Sequence, residues 1–334
     1  MSSVADELHA RAVRPGGPFP GPNAQAGRLP YLGRWLLSAG CWALSGCATA
    51  NPPDTTAKAC LVVAVRDGRV WAGYPDRCEV WQAAGPDQPA RQLSTVRLPA
   101  VPRQFIPLGD SALACCGEAG AAVLASSTTY PTWCAVPPPA LAATVRNGLL
   151  AVAAGTNGVW LLSVTNPAAP TLLGGFPGAT DARDVGFIAS LVCVADGTNG
   201  LKFLDVSTPA QPEMVGLYAP PGGPPADALA ISTTLIVTAH DRHLRLLDAS
   251  DPRQPVVMAT HELPAPCLGL ALSKLRLWVA CGEAGVVELD LIHALKELAR
   301  HPTRGPAHAV AAEGSRVFVA EGEAGWRELP SPPR

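Results

Sequence analysis

One phrase of the sequence recurs about every forty residues: a short apolar run, a turn containing Gly, a second apolar run and a Pro-rich turn. Its clearest copies run from Leu150 to Ser163, from Val192 to Asp205 and from Ile236 to Asp248. Repeats of this length are typical of solenoids, propellers and arrays, in which each repeat is one supersecondary unit. The repeat therefore constrains the architecture before any single residue is considered.

The residue that ends the first of these two apolar runs serves as a register mark for counting the units. The marks are Ala72, Cys115, Ala153, Ala195, Ala239, Ala280 and Ala320. Their spacings lie between 38 and 44 residues, which is one unit length with scatter from loops. Seven marks predict seven units.

The unit around Ala195 contains four strand-like runs, Asp184–Ala189, Leu191–Ala195, Leu201–Val206 and Glu213–Tyr218. An Asn-Gly turn precedes the third run, and Asn-Gly favours hairpins because both residues tolerate positive φ. Each unit is thus predicted to be a four-stranded antiparallel meander. With 35 Pro and 32 Gly in the chain, long helices are disfavoured. Only Asp290–Arg300 has a pattern that allows a short helical turn.

Four-stranded meanders at this period indicate an all-β fold, a seven-bladed β-propeller over residues 59–330. A lone blade cannot bury both faces of its sheet, so the blades must stack and the ring must close. The last unit lacks a fourth strand before Arg334. The segment 47–58 is a linker, and its residues around Thr55 to Lys58 are placed to supply the closing strand.

The units resemble the LVIVD-repeat family of bacterial β-propellers. The resemblance rests on the Ala-Asp-Gly-Thr-Asn-Gly-Leu run at Ala195–Leu201 and on the Leu-Asp-x-Ser-x-Pro-x-x-Pro pattern at Leu204–Pro212 and Leu247–Pro255. A weaker copy is Thr165–Pro170, and the match fades toward Leu61. The resemblance implies a propeller fold and a location in the cell envelope. It implies no catalytic motif.

Residues 1–46 are predicted to be a leader. The apolar stretch Trp35–Leu44 is too short to span a bilayer but suits a secretion signal. Leu44-Ser-Gly-Cys47 resembles a bacterial lipobox, which predicts lipidation at Cys47, a membrane anchor and an outer-membrane lipoprotein; an ordinary exported protein is the alternative. Met1–Gly33 is longer and richer in Pro than a usual signal start. Either translation begins later or a disordered extension precedes the signal.

Composition narrows the range of partners. Lys plus Arg number 25 and Asp plus Glu 27, with aromatic residues at 5%, so no nucleic-acid partner is expected because phosphate binding needs clustered cations. In an oxidising envelope, cysteines favour disulfides. We expect Cys60 to pair with Cys78, and Cys134 with Cys115 or Cys116. No zinc motif, phosphate loop or nucleophile motif occurs, so no cofactor or metal is expected.

The residues that begin the seven predicted first strands are expected at the mouth of the central channel. They are Leu61, Gln104, Leu141, Asp184, Asp227, Leu268 and His308, with Arg103 and Arg183 beside them. One interpretation makes Asp184, Asp227 and His308 a metal-binding or acid–base set in an envelope hydrolase. The other makes each a residue that satisfies backbone groups at a strand start. The sequence favours the second, and with it a binding or scaffold propeller for a protein or glycan partner.

Overall fold

The computed structural model describes residues 58–85, 88–125, 130–219, 223 and 225–330 of the chain. These residues form 27 β-strands. The strands of the first four sheets are β1 Val62–Arg66, β2 Arg69–Tyr74, β3 Arg77–Gln82, β4 Arg91–Arg97, β5 Gln104–Leu108, β6 Ser111–Cys115, β7 Ala121–Ala125, β8 Thr132–Trp133, β9 Ala142–Arg146, β10 Leu149–Ala153, β11 Val159–Ser163, β12 Thr171–Phe176, β13 Asp184–Ile188, β14 Leu191–Ala195, β15 Leu201–Asp205 and β16 Glu213–Tyr218. Those of the last three are β17 Ala228–Ser232, β18 Leu235–His240, β19 His243–Asp248, β20 Val256–Glu262, β21 Gly269–Ser273, β22 Arg276–Ala280, β23 Val286–Asp290, β24 Lys296–His301, β25 Ala309–Glu313, β26 Arg316–Ala320 and β27 Trp326–Glu328.

The strands form seven antiparallel sheets, each a meander of consecutive strands. Six sheets have four strands, and the seventh, β25–β27, has three among the described residues. The protein is a seven-bladed β-propeller, as the repeat predicts. The four strands expected around Ala195 are found to within one residue of their predicted bounds.

Apolar side chains fill the space between neighbouring blades. Trp71 of the first blade and Phe105 of the second share one buried cluster. Phe203 and Ile236 share another between the fourth and fifth blades, and both are fully buried. Truncating a buried ring of this kind to Ala typically costs about 3–5 kcal/mol. The interblade contacts therefore supply the burial that one sheet alone cannot.

A repeated backbone bridge joins each of several blades to the next. The first Gly of the turn between the second and third strands pairs with the residue just before the next blade's first strand region: Gly117 with Ala140, Gly155 with Ala182, Gly197 with Ala226, and Gly282 with Ala307. Gly322 of the last blade pairs in the same way with Cys60, with N···O distances of 2.8 and 3.1 Å. The first and last blades are thus in contact, and the ring is closed.

The Pro-rich turns of the repeat pack against the outer strands of the preceding blade. A Cβ atom added at Gly216 in β16 would lie 2.2 Å from the carbonyl oxygen of Pro252, and one at Gly174 in β12 would lie 2.3 Å from that of Pro209. Contacts this short cannot occur, so these positions need Gly. The Ser-x-Pro-x-x-Pro turn is therefore an interblade packing element at the perimeter.

The prediction of a short helical turn within Asp290–Arg300 is wrong. Asp290 ends β23, a turn follows, and Lys296–His301 form β24. Ala294 and Leu295 have φ values of 55° and 60°, which a right-handed helix does not contain. The part of the chain that the structure describes contains no helix with the length and apolarity that a membrane crossing needs.

The eight described cysteines are free thiols, and the expected disulfides are not formed. Cys60 packs between the last and first blades, whereas Cys78 packs between the first and second, so they lie on opposite faces of one sheet. Cys116 and Cys134 likewise belong to different interblade clusters. In this structure neither pair is joined.

Cys115 and Cys134 share a cluster but lie on strands that are not neighbours. Ala121 stands between them, paired with Cys115 on one side and accepting a hydrogen bond from the Cys134 N–H on the other. Two strand spacings amount to about 9.5 Å, and a disulfide spans at most about 7 Å between Cα atoms. Burial also raises the pKa of the Cys134 thiol to about 11, so little thiolate is available near neutral pH.

Candidate functional site

The first strands of all seven blades surround a central cavity of about 370 Å³. At its mouth, each blade contributes the residue whose N–H donates to a carbonyl at or next to the end of the second strand. These residues, here called the mouth ring, are Leu61, Arg103, Leu141, Arg183, Asp227, Leu268 and His308. Five of them line the cavity; Leu61 and His308 do not. The polar part of the lining is concentrated where the fourth and fifth blades meet.

The pairing register corrects two of the residues predicted for this ring. Asp184 pairs directly with Ala195, and Gln104 with Cys115, which places both one residue beyond the ring. The ring positions of their blades belong to Arg183 and Arg103. Because side chains alternate along a strand, a shift of one residue changes the face on which the side chain lies. In the first blade the register mark also moves by one, from Ala72 to Gly73, whose carbonyl accepts from Leu61.

Asp184 ties the first strands of two blades together. Its Oδ1 accepts from the N–H of Val185 and its Oδ2 from the N–H of Leu229 in the next blade, both at 2.8 Å. Gln104 at the equivalent position makes the same interblade bond, its Oε1 accepting from the Ala143 N–H at 2.7 Å. Burial raises the pKa of Asp184 to about 7, although the two N–H donors lower it. The interpretation that Asp184 satisfies backbone groups is therefore the one its geometry supports.

Asp227 is held by charged groups instead. Its Oδ1 accepts from Arg183 of the neighbouring blade, and its Oδ2 lies 2.5 Å from Nδ1 of His240. Asp181 binds the other side of the Arg183 guanidinium, at 3.0 Å from Nε and 2.7 Å from the second terminal nitrogen. Burial disfavours the charged guanidinium, but the two carboxylates outweigh it and raise the pKa of Arg183. We call these four residues, Asp181, Arg183, Asp227 and His240, the mouth cluster.

Contacts within the fourth blade hold Asp181 against Arg183. The fully buried carboxylate of Asp196 accepts from the Asp181 N–H at 2.6 Å and pairs with Lys202. Gly197 has φ +52°, and a Cβ there would lie 2.0 Å from Oδ2 of Asp181 and 3.0 Å from Nε of Arg183. Only Gly allows both the left-handed backbone and the close approach of the ion pair.

His308 does not join the two aspartates. It lies in the last blade, outside the cavity lining, where its imidazole approaches Gly322. Burial lowers the pKa of His308, which favours the neutral ring. Within the described residues, no three Asp, Glu, His or Cys side chains come together as a group able to hold a metal ion. The predicted set of Asp184, Asp227 and His308 is therefore not assembled as one site.

Two members of the mouth cluster were missed by reasoning from the sequence. Asp181 lies in the turn between blades, and His240 follows the register mark of the fifth blade. A signal was present, since both are polar residues close to the mouth positions of adjacent blades. The partnership itself, such as Arg183 with Asp227 across 44 residues of sequence, depends on how two blades meet and is not visible in either repeat alone.

The geometry defines what the cluster can do chemically. Both carboxylate oxygens of Asp227 and both of Asp184 already accept hydrogen bonds. A general base must have an oxygen or nitrogen within reach of the proton it removes. His240 contacts Asp227 but does not itself line the cavity. The mouth is thus a fixed polar surface beside an apolar cavity, which suits recognition.

Comparisons with known proteins agree with this architecture. The LVIVD repeat family matches residues 179–219, which hold the fourth blade. The crystal structure of the WD40 β-propeller domain of Doa1 has a TM-score of 0.67 at 11% identity, over 82% of this chain and 93% of that domain. The computationally designed Ika8 protein gives 0.57 at 13%, over 83% and 97%. Sqt1 of Saccharomyces cerevisiae gives 0.59 at 10%, over 80% and 81%.

At these identities the solved structures show the fold alone. No curated protein matches the chain. Nothing in these structures transfers a residue role to the mouth cluster. What is shown is that the chain is a seven-bladed β-propeller, as the resemblance implied, and that its fourth blade, within residues 179–219, matches the LVIVD repeat family.

Proposed function

We propose that this protein is a binding module of the cell envelope whose mouth face recognises a protein or glycan partner. The observation that carries the proposal is the state of the two aspartates at the mouth. Asp227 is occupied by Arg183 and His240, and Asp184 by two backbone N–H groups. Such a surface is rigid and fully hydrogen-bonded, so it can present a fixed pattern of charge without ordering costs on binding.

The cavity beside this surface can accept a group that projects from a partner. Its walls are mostly apolar and include Phe105, Leu141 and Leu268 as well as charged groups of the fourth and fifth blades. Apolar walls with a few fixed polar groups are typical of sites that bind by shape and orient by hydrogen bonds. A side chain or sugar ring that projects from a larger partner fits this description.

The partner site can be tested with two matched substitutions. Asp241 and Asp67 both lie in tight turns, with φ values of 51° and 52°, but Asp241 lines the mouth and Asp67 lies at the opposite end of its blade. We expect Asp241→Arg to abolish chemical crosslinking of the full-length protein to its partner in envelope membranes, and Asp67→Arg to leave it intact. Equal crosslinking in both variants would contradict binding at the mouth.

The membrane anchor is a separate part of the proposal. The lipobox-like Leu44–Cys47 and the leader 1–46 lie outside the described residues, and their support is the sequence pattern alone. Intact-mass spectrometry of protein taken from its native membranes should show a mature chain that begins at an acylated Cys47. Cys47→Ser should release the propeller into the soluble envelope fraction. An unmodified amino terminus would contradict the anchor and leave the binding site untouched.

A second candidate, an envelope hydrolase, is favoured by one observation. Asp227 and His240 form a carboxylate–imidazole pair at 2.5 Å, the arrangement that orients a histidine in hydrolytic triads. Hydrolysis of ester and glycoside substrates by the purified protein, abolished by His240→Gln, would establish it. Activity that persists in His240→Gln would belong to a contaminant and would remove this candidate.

A further inference from the structure

The fifth blade has an unusually short turn between its second and third strands. Two residues, Asp241 and Arg242, separate β18 from β19, whereas five residues separate the equivalent strands of the second, third, fourth, sixth and seventh blades. In those five blades a Gly of the turn forms the bridge to the next blade. In the fifth blade the carbonyl of Asp241 takes the place of that Gly and accepts from the Cys267 N–H at 2.7 Å. The short turn is thus joined to the sixth blade by its backbone.

Asp241 also lines the central cavity. Among the described residues of the lining, it is the one that comes from a turn between a second and a third strand. Its carboxylate makes no ion pair or hydrogen bond with any described residue. The adjacent Arg242 is engaged elsewhere, since it lies 3.3 Å from Glu262 and donates to the Leu263 carbonyl at 2.9 Å. The Asp241 carboxylate can therefore pair with a ligand in the cavity.

The charges around Asp241 favour a cationic ligand. The other two carboxylates that line the cavity already accept hydrogen bonds on both oxygens. Arg183 is bound by two carboxylates, those of Asp181 and Asp227, so this part of the mouth carries more negative than positive charge. The other cation of the lining, Arg103, belongs to the second blade, three blades away. A positive group beside Asp241 meets a complementary charge, and a negative group is repelled.

The cavity wall in the blades nearest to Asp241 is mostly apolar. Ala228 belongs to the same blade, Leu268 and Leu270 to the sixth and Ala309 to the seventh. Lysine and arginine side chains lay their apolar stems along such surfaces while the charged end finds a polar partner. Apolar walls with a few fixed polar groups are also typical of sites that orient what they bind. The wall and the carboxylate together match the two parts of a long basic side chain.

We propose that the cavity binds a lysine or arginine side chain of a protein partner, with the aliphatic stem against the wall that includes Ala228 and Leu268 and the charged end paired with Asp241. The inference rests on the proposed binding at the mouth and narrows the partner to a protein that exposes a basic side chain. Asp241 contacts the cation, whereas the mouth cluster supplies the surrounding charge.

Two small probes isolate the charge from the stem. N-acetyl-lysine methylamide and N-acetyl-norleucine methylamide have the same aliphatic stem, and only the first ends in an ammonium group. Each is titrated into the full-length protein while the methyl signals of Leu268 are followed by NMR. We expect saturable shifts, with the lysine probe binding about fivefold more tightly than the norleucine probe at low salt. The difference should shrink as salt is added, because salt screens the ion pair.

A matched pair of substitutions assigns the preference to Asp241. Asp241→Asn removes the charge and keeps a residue that tolerates the φ of 51°. It should cost the lysine probe about fivefold in affinity and leave the norleucine probe unchanged. The control is Asp76→Asn in the two-residue turn of the first blade, where Asp76 lies 3.0 Å from Arg77 and outside the cavity lining. The control should leave the affinity for both probes unchanged.

Several results would overturn the inference. They are equal affinity for the two probes, no loss in Asp241→Asn, tighter binding of N-acetyl-glutamate methylamide, and no saturable shift with the lysine probe. Tighter binding of N-acetylglucosamine at the same methyl groups would assign the cavity to a glycan. If Asp241→Arg still abolishes crosslinking to the partner, such a result rejects the basic ligand and keeps the mouth as the binding face. A lysine preference with crosslinking intact in Asp241→Arg would instead keep the cation site and reject the mouth as the partner site.

Discussion

Asp184 and Asp227 belong to adjacent blades and lie next to each other in the propeller mouth, yet they are held by different means. Asp184 accepts only from backbone N–H groups and joins two first strands. Asp227 accepts from the side chains of Arg183 and His240. The difference follows from a shift of one residue in register. Asp184 is the first residue of β13 and pairs within the sheet, whereas Asp227 lies one position earlier in its blade, in the mouth ring.

This comparison shows how a repeat can acquire a site. The position of Asp184 is constrained by the blade, and Gln104 fills the same role elsewhere. The mouth ring is free of that constraint, since its seven members include Leu, Arg, Asp and His. Variation at this position changes the charge of the mouth without changing the fold.

Removal of the Asp227 carboxylate should have the largest effect. Asp227→Ala removes one of the carboxylates that bind the Arg183 guanidinium, whose side chain is 16% exposed, and removes the carboxylate that contacts His240. Breaking a largely buried ion pair costs about 3 kcal/mol. Urea denaturation should show a loss of that size in the free energy of unfolding.

The control is Asp110→Ala, which removes a surface ion pair with Arg69 in which Asp110 is 85% exposed. Its cost should stay under about 1 kcal/mol. If the two variants lose equal stability, the mouth cluster behaves as an ordinary surface pair, and the contrast between the two aspartates disappears.

The contribution of Asp184 should appear in the pH dependence of the free energy of unfolding. Burial raises the native pKa of Asp184 to about 7, well above the usual pKa of an aspartate near 4, so between these values the native state binds more protons than the unfolded state. Stability therefore falls as pH rises from about 4 to about 7. We expect Asp184→Asn to remove most of this decline, measured as the difference between the two urea-unfolding profiles. Parallel profiles would show that Asp184 does not titrate in this range.

Much of the fold could be predicted from local signals. Apolar runs, Asn-Gly turns and Pro-rich turns are local, and they gave seven blades and the strands around Ala195. The register of the first strands was harder, because inner strands such as β13 are covered on both faces and have no clear apolar–polar alternation. That is why Asp184 was aligned with Asp227 in place of Arg183.

The candidate site could be predicted only in outline. Asp227 and the neighbouring Arg183 were placed at the mouth, but Asp181 lies in a turn before β13 and His240 at the end of β18, and neither was predicted to join them. His308 was aligned correctly with the ring, yet it does not line the cavity. Aligning the repeats of a propeller shows which residues occupy equivalent positions in the blades. The residues around each position decide whether its side chain reaches a shared site.

Placing an acid at the equivalent position of the second blade separates the effect of the charge from that of the hydrogen bond. Gln104 bonds the next blade as Asp184 does, but it carries no charge. We expect Gln104→Glu to make stability decline by about 1 kcal/mol as pH rises above the usual pKa of a glutamate, because Gln104, like Asp184, is half-buried. Gln104→Met removes the acceptor of the Ala143 N–H. It should therefore lower stability without adding any dependence on pH.

The smallest effect is expected when the mouth ion pair is replaced whole. Leu141 and Leu268 already occupy ring positions, so Arg183→Leu with Asp227→Leu gives the fourth and fifth blades the residue found in the third and sixth. Replacing both partners of a buried pair is often close to neutral, whereas removing one is costly. Asp181 and His240 are partly exposed, at 34% and 24%, and can turn to water. The double variant should therefore lie within about 1 kcal/mol of the wild type. A full double-mutant cycle would measure the coupling, and additive losses would mean that Arg183 and Asp227 stabilise the propeller independently, through contacts other than the one between them.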